Sequence, residues 1–313
     1  MILSFCVAAG TAAGFACALF IAAKNRWQGV TKKMVAALQD PVDTDEIGKD
    51  TTCLTPSLVG LPPPVARHIQ KALHLESSSS LVQPVIKSLH MEQEGSFLLD
   101  KKWITFEATQ DFSASSDNPG FVWDSIMHLP LPLRLGSIVI NVRDAYVGGQ
   151  GSMTAKIMGI MTIVDTKDTL ALNEGELSRW LAELAVIPTA FIPSHDSEFA
   201  LEWKKWDSTK DANLATAILT DKRRTNEQCV QTEVEFRFDN MTGLISSIFA
   251  MRPYCPPGSK EISVLPWQGH FSEYEERQGI LVPTYGEVGW WKDTSTLELY
   301  FKGHNTKFEF QFI

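Results

Sequence analysis

Arg179 and Glu183 are the two residues of this sequence whose types and spacing best fit a chemical role. They lie four positions apart in a segment whose other side chains are mostly apolar, so on a helix they would pair and point toward the protein interior. Such a pair can orient the polar group of a ligand, or it can act as a general acid and base. It can equally be an internal salt bridge that holds the helix in place.

The sequence carries no recognised signature of catalysis or metal binding. The seven histidines show no HxH, HExxH or cysteine-flanked spacing, and no serine lies in a GxSxG motif. The turn at 148–151 lacks the lysine and the hydroxyl residue of a phosphate-binding loop. We therefore predict no catalytic residue, no metal and no cofactor. The alternative is an enzyme in which Arg179, Glu183 and Asp144 line a polar pocket.

Aromatic and leucine side chains define the predicted ligand site. The chain has nine tryptophans, and most of them fall in or beside predicted strands and the predicted helix, where bulky aromatic residues usually fill a core. A strongly curved sheet covered by one helix also leaves an apolar cavity, which is the usual place for a ligand. The predicted ligand-binding residues are Trp123, Leu177, Arg179, Trp180, Leu181, Glu183, Leu184 and Trp267.

To form one site, these residues must be positioned by a sheet and by a helix inserted between its strands. Apolar residues recur at helical spacing between Glu176 and Pro188, which predicts a helix at 176–187. From about residue 84 onward the period of the remaining chain is two, as in Val230–Asp239, where the turn Asn240–Gly243 then leads into a second strand. About eleven such runs predict a large curved antiparallel sheet, a half-open barrel whose concave face the helix covers.

An uncharged apolar run precedes this domain at residues 2–23. As a helix it matches the thickness of a bilayer core, which predicts a single transmembrane anchor. A cleaved signal peptide or an organelle transit segment are the alternatives, but no basic residue precedes the run and it exceeds the usual length of a signal-peptide core. Gly10 and Gly14 form a GxxxG motif, which permits a homodimer within the membrane.

Charge distribution indicates the topology of the chain and excludes one class of partner. The first 39 residues contain four basic side chains, at positions 24, 26, 32 and 33, and no acidic one, whereas the whole chain has a net charge of −9. Basic residues that directly follow a membrane span predict a cytosolic body. The acidic remainder argues against nucleic-acid binding. We predict an anchor at 1–23, a juxtamembrane helix and linker at 24–58, and the β domain at 59–313.

Five motifs resemble a widespread, mostly bacterial family of unknown function, and the resemblance spans about residues 60–312. The motifs are LPPPVARH at 61–68, PGFVW at 119–123, RDAY at 143–146, GELSRWLAE at 175–183 and PTAF at 188–191. The segments WQG at 267–269 and GILVP at 279–283 also resemble the final hairpins of lipoprotein-carrier folds, in which a half-open barrel holds acyl chains beneath a helix. The first resemblance implies no activity.

These observations lead to one main functional hypothesis and two alternatives. The main hypothesis is a membrane-anchored binding module for an apolar or lipid-like ligand. The alternatives are the membrane-anchored enzyme with the polar pocket around Arg179 and Glu183, and a scaffold whose acidic surface binds a protein partner.

Overall fold

A computed structural model describes most of the chain, with side chains from residue 18 onward. The described residues are 2–39, 58–75, 85–115, 118–132, 136–193, 198–207, 209, 211–223, 229–256, 259, 261–292 and 295–312. Most of the predicted linker, residues 40–57, lies outside them. For residues 2–17, which include Gly10 and Gly14 of the GxxxG motif, only the helical backbone is described.

One antiparallel sheet of thirteen strands forms the body of the protein. Its strands are β1 (Ile86–Leu99), β2 (Lys102–Ser113), β3 (Gly120–Pro130), β4 (Ser137–Val147), β5 (Gln150–Ile157), β6 (Met161–Lys167), β7 (Phe199–Trp203), β8 (Leu214–Asp221), β9 (Val230–Phe238), β10 (Ile245–Tyr254), β11 (Ser263–Arg277), β12 (Ile280–Trp290) and β13 (Glu298–Phe312). The strand order is β6-β5-β4-β3-β2-β1-β13-β12-β11-β10-β9-β8-β7. The first and last strands therefore pair at the centre of the sheet.

The alternation that predicted a hairpin around residue 240 is present in the structure. In β9 every second residue is buried, and β9 pairs with β10. Asp239 closes the turn, because its Oδ1 accepts hydrogen bonds from the backbone N–H groups of Met241 at 3.0 Å and Thr242 at 2.7 Å. Gly243 adopts φ +75°, a conformation that other residues rarely take.

The predicted strands, about eleven, differ from the thirteen of the structure at three places, of which the first two lowered the predicted count and the third raised it. The prediction omitted β1 and read 152–164 as one strand, although a turn with φ 51° at Met158 and φ 70° at Gly159 divides it into β5 and β6. It also divided β13 at residues 303–306. That strand continues because Gly303 pairs with Gly95 on β1 and Gly286 on β12, so no turn is needed there.

The inserted helix, α2 (Leu170–Ala182), lies on the concave face of the sheet, and it begins earlier than predicted. Thr169 caps it by accepting a hydrogen bond from Leu172 N at 3.3 Å, so the helix begins six residues before the predicted residue 176. Glycine at position 175 therefore lies inside the helix. Two short 3-10 turns, Glu183–Val186 and Pro188–Phe191, follow Ala182, so the regular helix also ends before the predicted residue 187.

The sheet curls around α2 into a half-barrel. The helix contacts strands from both halves of the sheet. On one side Asn173 Oδ1 accepts a hydrogen bond from Gly151 N of β5 at 2.7 Å. On the other side Arg252 Nη2 of β10 donates to Gly175 O at 2.6 Å. Further along the interior, Tyr146 of β4 donates to Asp221 Oδ2 of β8 at 2.8 Å.

Two more helices complete the described fold. In chain order these are α1 (Ile2–Gln39), which precedes the sheet, and the short helix at Pro63–Ala72, which begins with prolines suited to a first turn. The second half of α1 packs on the convex face of β3 and β4, where Leu38 meets Val122 and Ala145. Among the helical residues whose side chains are described, no stretch is long and apolar enough to cross a membrane.

Candidate functional site

A group of charged and polar side chains on the concave face is the candidate site. We call it the charged cluster, and its members are Gln110, Asp144, Glu176, Arg179, Glu183 and Arg252. Three of them come from α2 and its C-terminal cap, and the others come from β2, β4 and β10. Successive residues of α2 at i, i+3 and i+7 share one face, so Glu176, Arg179 and Glu183 all point toward the strands.

Arg179 is the centre of the charged cluster. Its Nε donates to Glu183 Oε1 at 2.7 Å, and its Nη1 donates to Asp144 Oδ2 at 3.1 Å. The guanidinium carbon lies 4.8 Å from the Phe121 ring centroid and 5.2 Å from that of Trp123. Burial disfavours the cation, but the carboxylates outweigh it and raise the pKa of Arg179. The predicted ion pair between Arg179 and Glu183 is thus present.

Solvent still reaches this part of the concave face. The side chains of Arg179, Asp144 and Glu183 are 16%, 17% and 25% exposed. Gln110 lies deeper and donates from Nε2 to Glu183 Oε2 at 2.5 Å. The ion pairs are therefore partly accessible to solvent.

Glu176 is a buried carboxyl group with a strongly altered acidity. Burial, reinforced by the negative charge of Asp144, raises its pKa to about 8, although Arg179 and Arg252 oppose the shift. Burial likewise raises the pKa of Asp144, against the effect of Arg179. At neutral pH we therefore expect Glu176 to be mainly protonated.

The charged cluster has spare hydrogen-bonding capacity. Four buried atoms of the cluster have no partner among the described atoms. Gln110 Oε1 and Asp144 Oδ1 are acceptors, Arg252 Nε is a donor, and Glu176 Oε2 can donate when the carboxyl is protonated. Buried polar atoms in folded proteins are nearly always satisfied. The free acceptors Gln110 Oε1 and Asp144 Oδ1 suit a polar group that donates hydrogen bonds, such as a hydroxyl, an amine or a water molecule.

An aromatic row adjoins the charged cluster on the same concave face. We define it as Phe97, Tyr300, Trp290 and Tyr254, which are all partly exposed. Consecutive ring centroids lie 5.7, 6.2 and 4.9 Å apart. Arg252 joins the two groups, because its guanidinium carbon lies 5.9 Å from the centroid of Trp290. The end of the half-barrel beyond α2 is thus lined by aromatic surface that no described helix covers.

The predicted ligand residues divide into two groups in the structure. Arg179 and Glu183 belong to the charged cluster. The six apolar residues, Trp123, Leu177, Trp180, Leu181, Leu184 and Trp267, are each at most 3% exposed and pack in the core between α2 and the sheet. Their role in ligand binding stays a prediction. A ligand could reach these side chains only if the core opened.

Two concavities in the described surface lie elsewhere. One of about 60 Å³ lies beside the end of α1 and is lined in part by Leu38, His90 and Asp111. The other is an open groove of about 340 Å³ over β9 and β10, lined in part by Glu233 and Met251. None of the predicted ligand residues lines either one.

Sequence reasoning missed three members of the charged cluster and the aromatic row. Glu176 could have been found, because it lies three residues before Arg179 on the same helix. Arg252 also left a signal, since it continues the inward-facing positions of Ile248 and Ala250 in β10. Gln110 and the aromatic row left no such signal in the sequence, because only the register of the strands brings them close to the other residues of the site.

The solved structures that resemble this chain include three of low sequence identity, each aligned over 79% of this chain. One is a Vibrio parahaemolyticus domain described as an outer membrane lipoprotein-sorting protein, with 7% identity, a TM-score of 0.39 and 93% of its own length covered. A Desulfovibrio piger protein of the DUF1329 family has 12% identity, a TM-score of 0.35 and 93% covered. A Nitrosomonas europaea protein of the LolA superfamily has 8% identity, a TM-score of 0.34 and 92% covered.

Comparison with sequence families gives a clear result. No curated protein matches this chain. The model of a family of unknown function, DUF6920, matches residues 59–310, which include all five motifs noted in the sequence. That span is most of the chain and contains the whole charged cluster and the aromatic row. The chain therefore belongs to the DUF6920 family of unknown function.

Proposed function

We propose that this protein binds an apolar or lipid-like ligand on the concave face of its half-barrel. The observation that carries the proposal is the contact between the aromatic row and the charged cluster, because it places an uncovered apolar surface beside unsatisfied polar atoms. A ligand with an apolar chain and a hydrogen-bond-donating polar group would satisfy both.

The N-terminal segment supplies the second part of the proposal, which is attachment to a membrane. The apolar run at 2–23 would span the bilayer, with the juxtamembrane helix and linker at 24–58 and the β domain at 59–313 on the cytosolic side. The four basic residues at 24–33 support this orientation. Protease treatment of intact membranes should degrade the β domain from the cytosolic side, and Asn240 should not be glycosylated.

Photo-crosslinking tests the ligand proposal on the full chain in its membrane. A fatty acid that carries a diazirine in its acyl chain is crosslinked by light, and the labelled peptides are identified by mass spectrometry. We expect labels on β12 and β13 near Trp290 and Tyr300. Trp290→Glu should reduce labelling at least fivefold, because a carboxylate on this surface opposes apolar binding.

Trp103→Glu is the matched control for this experiment. Trp103 is 43% exposed and lies on the convex face, where Lys302 stacks on its ring, so its replacement also places a carboxylate at an exposed tryptophan position. Labelling should be unchanged in this variant. If the two variants lose labelling equally, or if labels are confined to the convex face, the aromatic row is not the ligand site.

An enzyme is a second candidate, favoured by the unpartnered carboxyl oxygens of Asp144 and Glu176. A buried carboxyl whose pKa is near 8 can donate a proton at neutral pH, and a neighbouring ionised carboxylate can accept one. Under this hypothesis Glu176→Gln would stop turnover, and unconverted substrate would accumulate. Mass spectrometry would then show different co-purifying molecules for the variant and the wild type, whereas a binding protein would retain the same molecule.

A further inference from the structure

The turn between β5 and β6, with the start of β6, forms an exposed apolar hairpin. We define the apolar hairpin as residues 158–163. Its large side chains are Met158, Ile160, Met161 and Ile163, which are 45%, 55%, 58% and 52% exposed. The segment between Lys156 and Asp165 contains no charged residue. Four exposed large apolar side chains within six residues are unusual for a surface in contact only with water.

The apolar hairpin lies against α1 at the place where the apolar run of that helix ends. A Cβ atom built on Gly159 would lie 3.7 Å from the Cβ of Ala23. Just before Ala23, the helix exposes Leu19, Phe20 and Ile21. The apolar surfaces of the helix and the hairpin therefore meet at one level.

Basic side chains border this combined surface. Lys24 and Arg26 are exposed and lie one and three residues after Ala23 in α1, and Lys156 lies two residues before Met158, the first residue of the hairpin. An apolar surface next to basic groups complements a bilayer that contains anionic lipids, whose acyl chains accept the apolar side chains and whose headgroups attract the cations.

The apolar hairpin also lies at the same end of the strands as the aromatic row. Strand register shows this, because Ser96 pairs with Thr105, Thr105 with His128, and His128 with Val139. Met158 N then donates to Val139 O at 2.8 Å. The hairpin is thus level with Ser96, the neighbour of Phe97 in the aromatic row.

We infer that the apolar hairpin enters the lipid headgroup layer and turns the aromatic end of the half-barrel toward the membrane. This inference rests on the proposed membrane anchor and deepens the proposed function. An apolar ligand could then pass between the bilayer and the aromatic row without crossing water. A second copy of the chain is the competing occupant of the hairpin surface.

The test places the full chain in vesicles of phosphatidylcholine and phosphatidylserine that contain a phospholipid with a diazirine near its glycerol group. After light activation, peptides are mapped by mass spectrometry. We expect labels on residues 158–163 and on α1 near Ala23, with at least fivefold less label on Met241, which is 90% exposed at the tip of the β9–β10 hairpin. Vesicles without phosphatidylserine should give weaker hairpin labelling.

Matched variants sharpen the result. Ile160→Asp should abolish labelling of the hairpin while α1 stays labelled, and Met241→Asp should change nothing. Label on the apolar run but not on the hairpin would overturn this inference and leave the anchor intact. The absence of label on both the apolar run and the hairpin would overturn this inference and the proposed membrane anchor. A hairpin that crosslinks to another protein copy instead of lipid would show that it forms a dimer contact, which also overturns the inference.

Discussion

Arg143 and Asp144 are adjacent in β4, and each binds a helix on a different face of the sheet. Arg143 Nη1 donates to Thr31 Oγ1 of α1 at 2.8 Å, and Asp144 Oδ2 accepts from Arg179 Nη1 of α2 at 3.1 Å. This arrangement follows from the alternation of side chains along a strand. The convex helix, which continues from the proposed anchor, is therefore attached to Arg143, and the charged cluster is attached to the next residue, Asp144.

Removing Arg179 should destabilise the protein more than replacing Glu183 by leucine. Arg179→Ala leaves Asp144 and Glu183 without their cation, and we expect a loss of about 2–4 kcal/mol in the free energy of unfolding. Glu183→Leu keeps the pair between Arg179 and Asp144 and should cost about 1–2 kcal/mol, chiefly because Gln110 loses its acceptor. Chemical denaturation measures both values. Equal losses would contradict the central position of Arg179.

Glu176 should make the stability of the protein fall as the pH rises. Its pKa is near 4.5 in the unfolded chain and about 8 in the folded protein, so the folded state holds the extra proton between these values. The stability contributed by the protonated group is complete below about pH 4.5 and is lost as the pH rises through 8.

The variant Glu176→Gln removes this dependence, because the amide resembles the protonated acid and does not ionise. Relative to wild type, the variant should gain about 2–4 kcal/mol between pH 5 and pH 9. Thermal unfolding at several pH values measures the difference. Glu107→Gln, on the exposed convex side of β2, is the control and should follow the wild-type profile. A constant difference at all pH values would show that Glu176 does not titrate in this range.

His68 should make the protein sensitive to acid. It is fully buried, stands 5.7 Å from the Phe191 ring and 5.9 Å from the Phe238 ring, and has no hydrogen-bond partner among the described atoms. Burial lowers its pKa to about 3. The folded state therefore requires neutral histidine, and the stability this group contributes above pH 6.5 is lost as the pH falls toward 3.

Phenylalanine at this position should remove that acid sensitivity. We expect His68→Phe to be at least as stable as wild type at pH 7 and to lose less stability than wild type between pH 6.5 and pH 4, as measured by urea unfolding. His74→Phe is the control at a half-exposed position near the end of the same helix. A larger acid sensitivity in His68→Phe would contradict the assignment of a neutral buried ring.

Asp124 should hold α1 on the convex face. Its carboxylate accepts hydrogen bonds from Trp27 Nε1 at 2.8 Å and from Thr31 Oγ1 at 2.5 Å. Asp124→Ala removes both bonds and the negative charge near Arg143, whose guanidinium lies 4.3 Å from the Trp27 ring centroid. Backbone amides at 27–39 should then exchange with deuterium about tenfold faster or more. Asp239→Ala, at a distant turn, should leave this exchange unchanged.

The sequence by itself determined the local elements and the family. Period-two alternation predicted the hairpin of β9 and β10, and helical spacing predicted an apolar helix on which Arg179 and Glu183 pair. The five motifs indicated the family that matches residues 59–310. These features were predictable because a helix or a strand places side chains according to their spacing along the chain alone.

Only the tertiary structure decided which of these elements meet. Asp144, Gln110 and Arg252 reach Arg179 and its neighbours from three separate strands, and the row from Phe97 to Tyr254 depends on the pairing of β1 with β13. The raised pKa of Glu176 results from burial beneath a curled sheet. Strand order, register and curvature depend on contacts between distant segments, and the spacing of residues within one segment carries no information about them.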